Sequence, residues 1–101
     1  MDVAAGDKMT SQKHLRAEWR LQEIADAEVE RVAPGRRIIA CVQHFSDSVS
    51  WDEDCEEVGR APWFCGYILP PDDPSAREVI SILNRVMAPW QARYDLGLTR
   101  G

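Results

Sequence analysis

The sequence predicts an α+β domain, a two-layer sandwich in the order helix, strand, short strand, strand, helix, with two helices packed on a small antiparallel sheet. Three observations carry this expectation. Two long stretches space their apolar residues by three and four, as an amphipathic helix does. Two shorter runs, Ile38–Val42 and Trp63–Leu69, are continuously apolar and rich in β-branched or aromatic residues. Proline and glycine punctuate the junctions at Pro34-Gly35, Pro62 and Pro70-Pro71. A chain of 101 residues suits one domain, expected over 10–95, with a loose start over 1–9 and a loose tail over 96–101.

The first helix is expected to open at Thr10 or Ser11, whose side-chain oxygen can accept from free N–H groups of the first turn. Ala17, Leu21, Ile24, Ala25, Val29 and Val32 share one side of its wheel, with Leu15 and Trp19 at the edge, while Arg16, Arg20, Glu23, Asp26, Glu30 and Arg31 lie opposite. Pro34 drives Ala33 out of the helical region and Gly35 permits a reversal, so the helix ends there.

Arg36–Phe45 and Trp63–Leu69 then read as two interior strands, each apolar enough to be buried on both faces. Between them lies a connection of fifteen residues, Ser46–Arg60, long for a structureless loop in a small domain. The alternation Ser48-Val49-Ser50-Trp51 predicts a short edge strand inside it, which leaves Asp52–Arg60 as the true loop. If the outer sheet face stays uncovered by the two helices, it is a surface for a partner or a homodimer.

Asp73-Pro74 marks the second helix, since Asp can cap it and Pro at the first helical position loses no needed N–H. Ala76, Val79, Ile82, Leu83, Val86, Met87 and Trp90 form its stripe. Pro89 is expected to kink or end it near Met87, and Leu96–Gly101 to trail as a tail.

Charge separates one stretch from the rest. Residues 1–44 hold seven acids and seven bases, and residues 61–101 hold four of each. Phe45–Arg60 holds six acids against Arg60 alone, so the net charge of −5 resides there. Scattered bases and net negative charge argue against direct nucleic-acid binding through a phosphate-reading patch. No apolar run reaches the roughly 20 residues of a membrane span, and Met1–Thr10 lacks the apolar core of a signal peptide, so no membrane contact and a cytoplasmic location are expected. Three cysteines at no disulfide-scaffold spacing agree with a reducing compartment.

The residue types present bear on three chemistries. Cys41, His44, Cys55 and Cys65 supply three thiols and an imidazole, the donor set of a tetrahedral zinc, but Cys41 and His44 fall in one strand and point to opposite faces. A cysteine nucleophile paired with His44 or His14 has no glycine-rich elbow or other local signature around it. Asp52, Asp54 and Glu56 alternate like the first half of a calcium loop, yet Glu57 stands where glycine belongs and Trp63 where the bidentate glutamate belongs. No cofactor and no catalytic residue is therefore assigned.

The interaction reading asks less of the sequence. Asp47, Asp52, Glu53, Asp54, Glu56 and Glu57 form a negative patch with Trp51 at its centre and Trp63 at its end. Such a patch steers association with a basic protein surface, and tryptophan often dominates binding energy. The expected function is a small non-enzymatic binding protein, in one version an inhibitor whose carboxylates mimic phosphates in a basic groove. In kind, though in no motif, this resembles the small acidic inhibitors that phages direct at host nucleases. The alternatives are a zinc domain or cysteine-dependent enzyme built on Cys41, His44, Cys55 and Cys65, and a structural or dimerising subunit that uses its exposed sheet face.

Overall fold

Two apolar helix stripes need a shared partner, and the chain supplies it by wrapping strands from both ends and the middle around them. The computed structural model describes residues 13–100. In chain order these form β1 (His14–Ala17), α1 (Glu18–Val32), β2 (Ile39–Gln43), a 3-10 turn (Ser46–Ser48), β3 (Ser50–Trp51), β4 (Val58–Ala61), β5 (Phe64–Ile68), α2 (Ala76–Arg93) and β6 (Tyr94–Thr99). The α+β class with two helices is as the sequence predicts, but the strands divide into two sheets. One is four-stranded in the order β1-β6-β4-β3, and the other is the antiparallel pair β2-β5.

The core forms where both helices meet both sheets. Leu21, Ala25 and Val29 of α1 and Ala76, Leu83 and Met87 of α2 are buried with Ala40 and Val42 of β2, Trp63, and Leu96 of β6. The helical spacing finds the enclosed Leu21, Leu83 and Met87, but Ile82, expected in the second stripe, is exposed, and Ala17, expected in the first, lies exposed at the end of β1.

The first helix begins later than its periodicity suggests. The expected cap at Thr10 or Ser11 and the loose start over 1–9 lie outside the described residues. His14–Ala17 is a strand, parallel to β6 with His14 opposite Tyr94 and Ala17 opposite Gly97. The helix starts at Glu18 without a side-chain cap hydrogen bond. Pairing with a strand eighty residues away overrides local helical preference at these four positions.

The expected tail is likewise corrected. Tyr94–Thr99 forms β6, an interior strand held between β1 and β4, and Leu96 is fully buried beneath the helices. The segment alternates, with Tyr94, Leu96 and Leu98 packed on the core and Asp95, Gly97 and Thr99 on the other face.

Helix α2 starts two residues after the expected Pro74, yet Asp73 still serves its N-terminus. Its carboxylate accepts from the Ser75 hydroxyl at 2.7 Å, and its backbone carbonyl accepts from the Ala76 amide at 3.0 Å. The helix passes through Pro89 to Arg93 and is not ended by it. Pro89 and Arg85, whose carbonyl the proline leaves without its helical donor, are both exposed, so water can satisfy that carbonyl.

The second sheet is not buried on both faces. Ala40 and Val42 face the core, whereas Ile39 and its cross-strand partner Ile68 are 56% and 58% exposed. Two helices have one covered side to offer, and they cover the inner face only. Among the described residues, no helix is long and apolar enough to cross a membrane.

Candidate functional site

The acidic stretch is more ordered than a fifteen-residue loop. The alternation around Trp51 does form a strand, β3, but Val58–Ala61 forms its antiparallel partner β4, with Ser50 opposite Arg60 and Trp51 opposite Gly59. The connection shrinks to residues 52–57, the tip of a hairpin. Backbone bonds close it from both sides: the Asp52 amide donates to the Val58 carbonyl at 2.8 Å, and the Val58 amide to the Cys55 carbonyl at 3.0 Å. The Asp52 carboxylate accepts from the Asp54 amide at 2.7 Å, an Asx turn that fixes the first bend. Beyond β6, the Arg100 amide donates to the Glu57 carbonyl at 2.8 Å and fastens the far side to the sheet.

Asp52, Glu53, Asp54, Glu56 and Glu57 are all exposed on this hairpin, and Asp47 is exposed on the 3-10 turn before β3. Among the described residues none of the six takes part in an ion pair. The segment's own base is turned elsewhere: an Arg60 guanidinium nitrogen lies 3.5 Å from the Asp95 carboxylate and donates to the Lys13 carbonyl at 3.2 Å. Arg100, just past the end of β6, lies over the Trp51 ring at 4.0 Å from its centroid. The tip therefore presents its carboxylates to solvent without internal compensation.

The two tryptophans part company. Trp51 is 37% exposed, seated on Gly59 at the root of the hairpin. Trp63 is 4% exposed, packs in the core, and donates from Nε1 to the Tyr94 carbonyl at 2.9 Å. Trp63 is thus removed from the expected partner surface. The pair Pro62-Trp63 directs the chain from one sheet to the other, and the indole is used to fill the space between them.

The cysteine and histidine candidates are not gathered. Cys41 and Cys65 sit on neighbouring strands, but register places Cys41 opposite Gly66 and Val42 opposite Cys65, so the two thiols point to opposite faces. Cys55 is exposed at the hairpin tip, His44 follows β2, and His14 lies on the other sheet, against the Tyr94 ring at 6.5 Å. Among the described residues no three His, Cys, Asp or Glu side chains are grouped to hold a metal ion, the alternating Asp52, Asp54 and Glu56 included. Burial pushes the Cys65 thiol up to about 11, which leaves it protonated near neutrality and a poor nucleophile.

Features that sequence reasoning missed belong to the same regions. Gly59 and Arg100 support Trp51, and of these only the glycine carried a local signal, an isolated Gly in a strand where something approaches closely. Phe45, 65% exposed, packs in a tilted arrangement on Phe64 with centroids 5.0 Å apart and extends the open face made by Ile39 and Ile68. Comparison with protein-family models, curated proteins and solved structures finds no match to this chain.

Proposed function

We propose that this is a non-enzymatic protein that binds another protein through the acidic β3–β4 hairpin, with a basic surface as the complement. The observation that carries this reading is the exposed set Asp52, Glu53, Asp54, Glu56 and Glu57 on a closed hairpin, with Arg60 drawn off to Asp95. A fixed array of uncompensated carboxylates holds its repulsion in the free state and relieves it against cations, so its field favours and accelerates such an encounter. Trp51 at the root adds an aromatic surface beside the charges. Occupation of a groove that otherwise takes nucleic-acid phosphates is one form of this function, because closely spaced carboxylates at the hairpin tip offer the same kind of charge.

The test is capture by tagged protein in its native host at low and then high salt, repeated with Asp52, Glu53, Asp54, Glu56 and Glu57 replaced by Asn or Gln. Exposed charges attract over a Debye length of about 8 Å at physiological ionic strength, so the partner should be released by salt and its association slowed in the variant. A partner that binds the neutralised variant as well as the native protein refutes the acidic hairpin. Metal content measured on the same sample decides the zinc alternative directly.

A further inference from the structure

The two-stranded sheet has one closed edge and one open edge. On β2 the Gln22 side chain, reaching from α1, donates to the Ala40 carbonyl at 2.7 Å and accepts from the Val42 amide at 3.1 Å, occupying the place of a neighbouring peptide group. In an antiparallel ladder successive residues turn their backbone groups to alternate sides. Ala40 and Val42 therefore face away from β5, and their register partners Tyr67 and Cys65 face away from β2, along the outer edge of β5. Among the described residues, the N–H and C=O groups of Cys65 and Tyr67 have no backbone partner on that edge.

Nothing on β5 discourages pairing. The strand Phe64–Ile68 carries neither a charge nor a proline, the usual means of blunting an edge. Its order is also self-complementary. Cys65 and Tyr67 flank Gly66, so a two-fold axis at Gly66 sets Cys65 of each copy opposite Tyr67 of the other, with donors facing acceptors. Gly66 then falls at a non-hydrogen-bonded pair, where opposed Cα atoms approach to about 4.5 Å and a missing side chain gives clearance.

The same axis sets Phe64 of each copy across from Ile68 of the other. It thereby joins the two patches of exposed Ile39, Phe45 and Ile68 with half-buried Phe64 into one apolar face. Charge permits the approach, since β2 and β5 hold no ionisable carboxylate or base while the excess of acids lies on the other sheet. We propose that β5 pairs antiparallel with β5 of a second copy of this chain, giving a two-fold dimer with a continuous sheet β2-β5-β5-β2. This surface is separate from the acidic hairpin, and either can stand without the other. A two-strand seam with these side chains covers roughly 1,000 Å² in total, the lower end of specific interfaces, so association depends on concentration in the micromolar range.

Sedimentation of the full chain under reducing conditions, from about 5 to 500 µM, reads this directly. The weight-average mass should climb from one chain toward two. A single-chain mass throughout overturns the proposal. Ile68→Lys puts a charge on the exposed end of the edge and should weaken the dimer at least tenfold with an unchanged circular dichroism spectrum; a dimer of native strength in that variant places the interface elsewhere and also overturns it. Hydrogen exchange supplies a readout on the unmodified protein. The Cys65 and Tyr67 amides should gain protection as concentration rises, whereas the Val42 amide, already held by Gln22, should be protected at every concentration. A dimer in which the Cys65 and Tyr67 amides exchange at the dilute rate rules out strand pairing.

Discussion

The Trp51 ring lies against the backbone of Gly59, its cross-strand neighbour, so closely that a Cβ added at Gly59 would stand 2.7 Å from Trp51 Cε3. The glycine is what lets an indole sit at the root of the acidic hairpin, because no other residue leaves the ring that space. With Arg100 over the same ring at 4.0 Å, this contact links β3, β4 and the end of β6.

Gly59→Ala should accordingly destabilise the protein by about 1–3 kcal/mol through overpacking, toward the lower end because Trp51 is partly exposed and can swing outward. Chemical denaturation of the single and double variants checks the cause. In a Trp51→Ala background the Gly59→Ala cost should nearly vanish, as coupling between touching residues requires. An undiminished cost in that background traces the effect to the backbone instead.

Leu96 distinguishes a core strand from a tail. Leu96→Ala should cost about 2–5 kcal/mol, the range for a fully buried leucine, whereas Thr99→Ala, exposed on the same strand, should stay within about 0.5 kcal/mol. Equal melting temperatures for both variants and the native protein contradict the packing of β6.

Acid sensitivity is expected from Glu28. Partial burial raises its affinity for a proton, but the Trp90 Nε1 donor at 2.7 Å and the Arg31 guanidinium at 2.7 Å outweigh burial, and the carboxyl ends below its ordinary value. A carboxylate depressed by folding stabilises the native state above the unfolded value and loses that contribution as pH falls through the folded one. Stability should therefore decline as pH drops below about 4.5, and Glu28→Gln should flatten that decline. Asp73, held low first by the Ser75 hydroxyl and further by Arg36, acts in the same direction and keeps some slope in the variant. An identical pH profile for Glu28→Gln removes Glu28 from the account.

Thiol chemistry should sort the cysteines by position. Cys55 is exposed at the hairpin tip and should be alkylated first, and Cys65, protonated and half-buried, last. Cys55→Ser should abolish the fast phase. A fast phase that survives this change points to Cys41 or Cys65 as a reactive site.

Much of the architecture is legible from local patterns. The spacing from Leu21 to Val29 and from Ala76 to Met87 marks the two buried helix stripes, and the apolar runs at Ile38–Val42 and Trp63–Leu69 mark β2 and β5. The charge count marks Phe45–Arg60 as the acidic stretch without reference to the fold, since composition is a property of the sequence alone.

What escaped the sequence has one physical character. The strands β1 and β4 are short, and β1 and β6 lie at places where local propensity indicates helix or tail; the three exist because they pair with each other across the length of the chain. Likewise, Trp51 and Trp63 both border the acidic stretch in sequence, and the packed fold shows one supporting a surface hairpin while the other fills the core. The sequence determined the helices, the two apolar strands and the seat of the negative charge, all properties of neighbouring residues. Tertiary structure decided the division into two sheets, the exposed face on β2 and β5, and the diversion of Arg60 to Asp95, because each depends on residues that meet only after the chain has closed on itself.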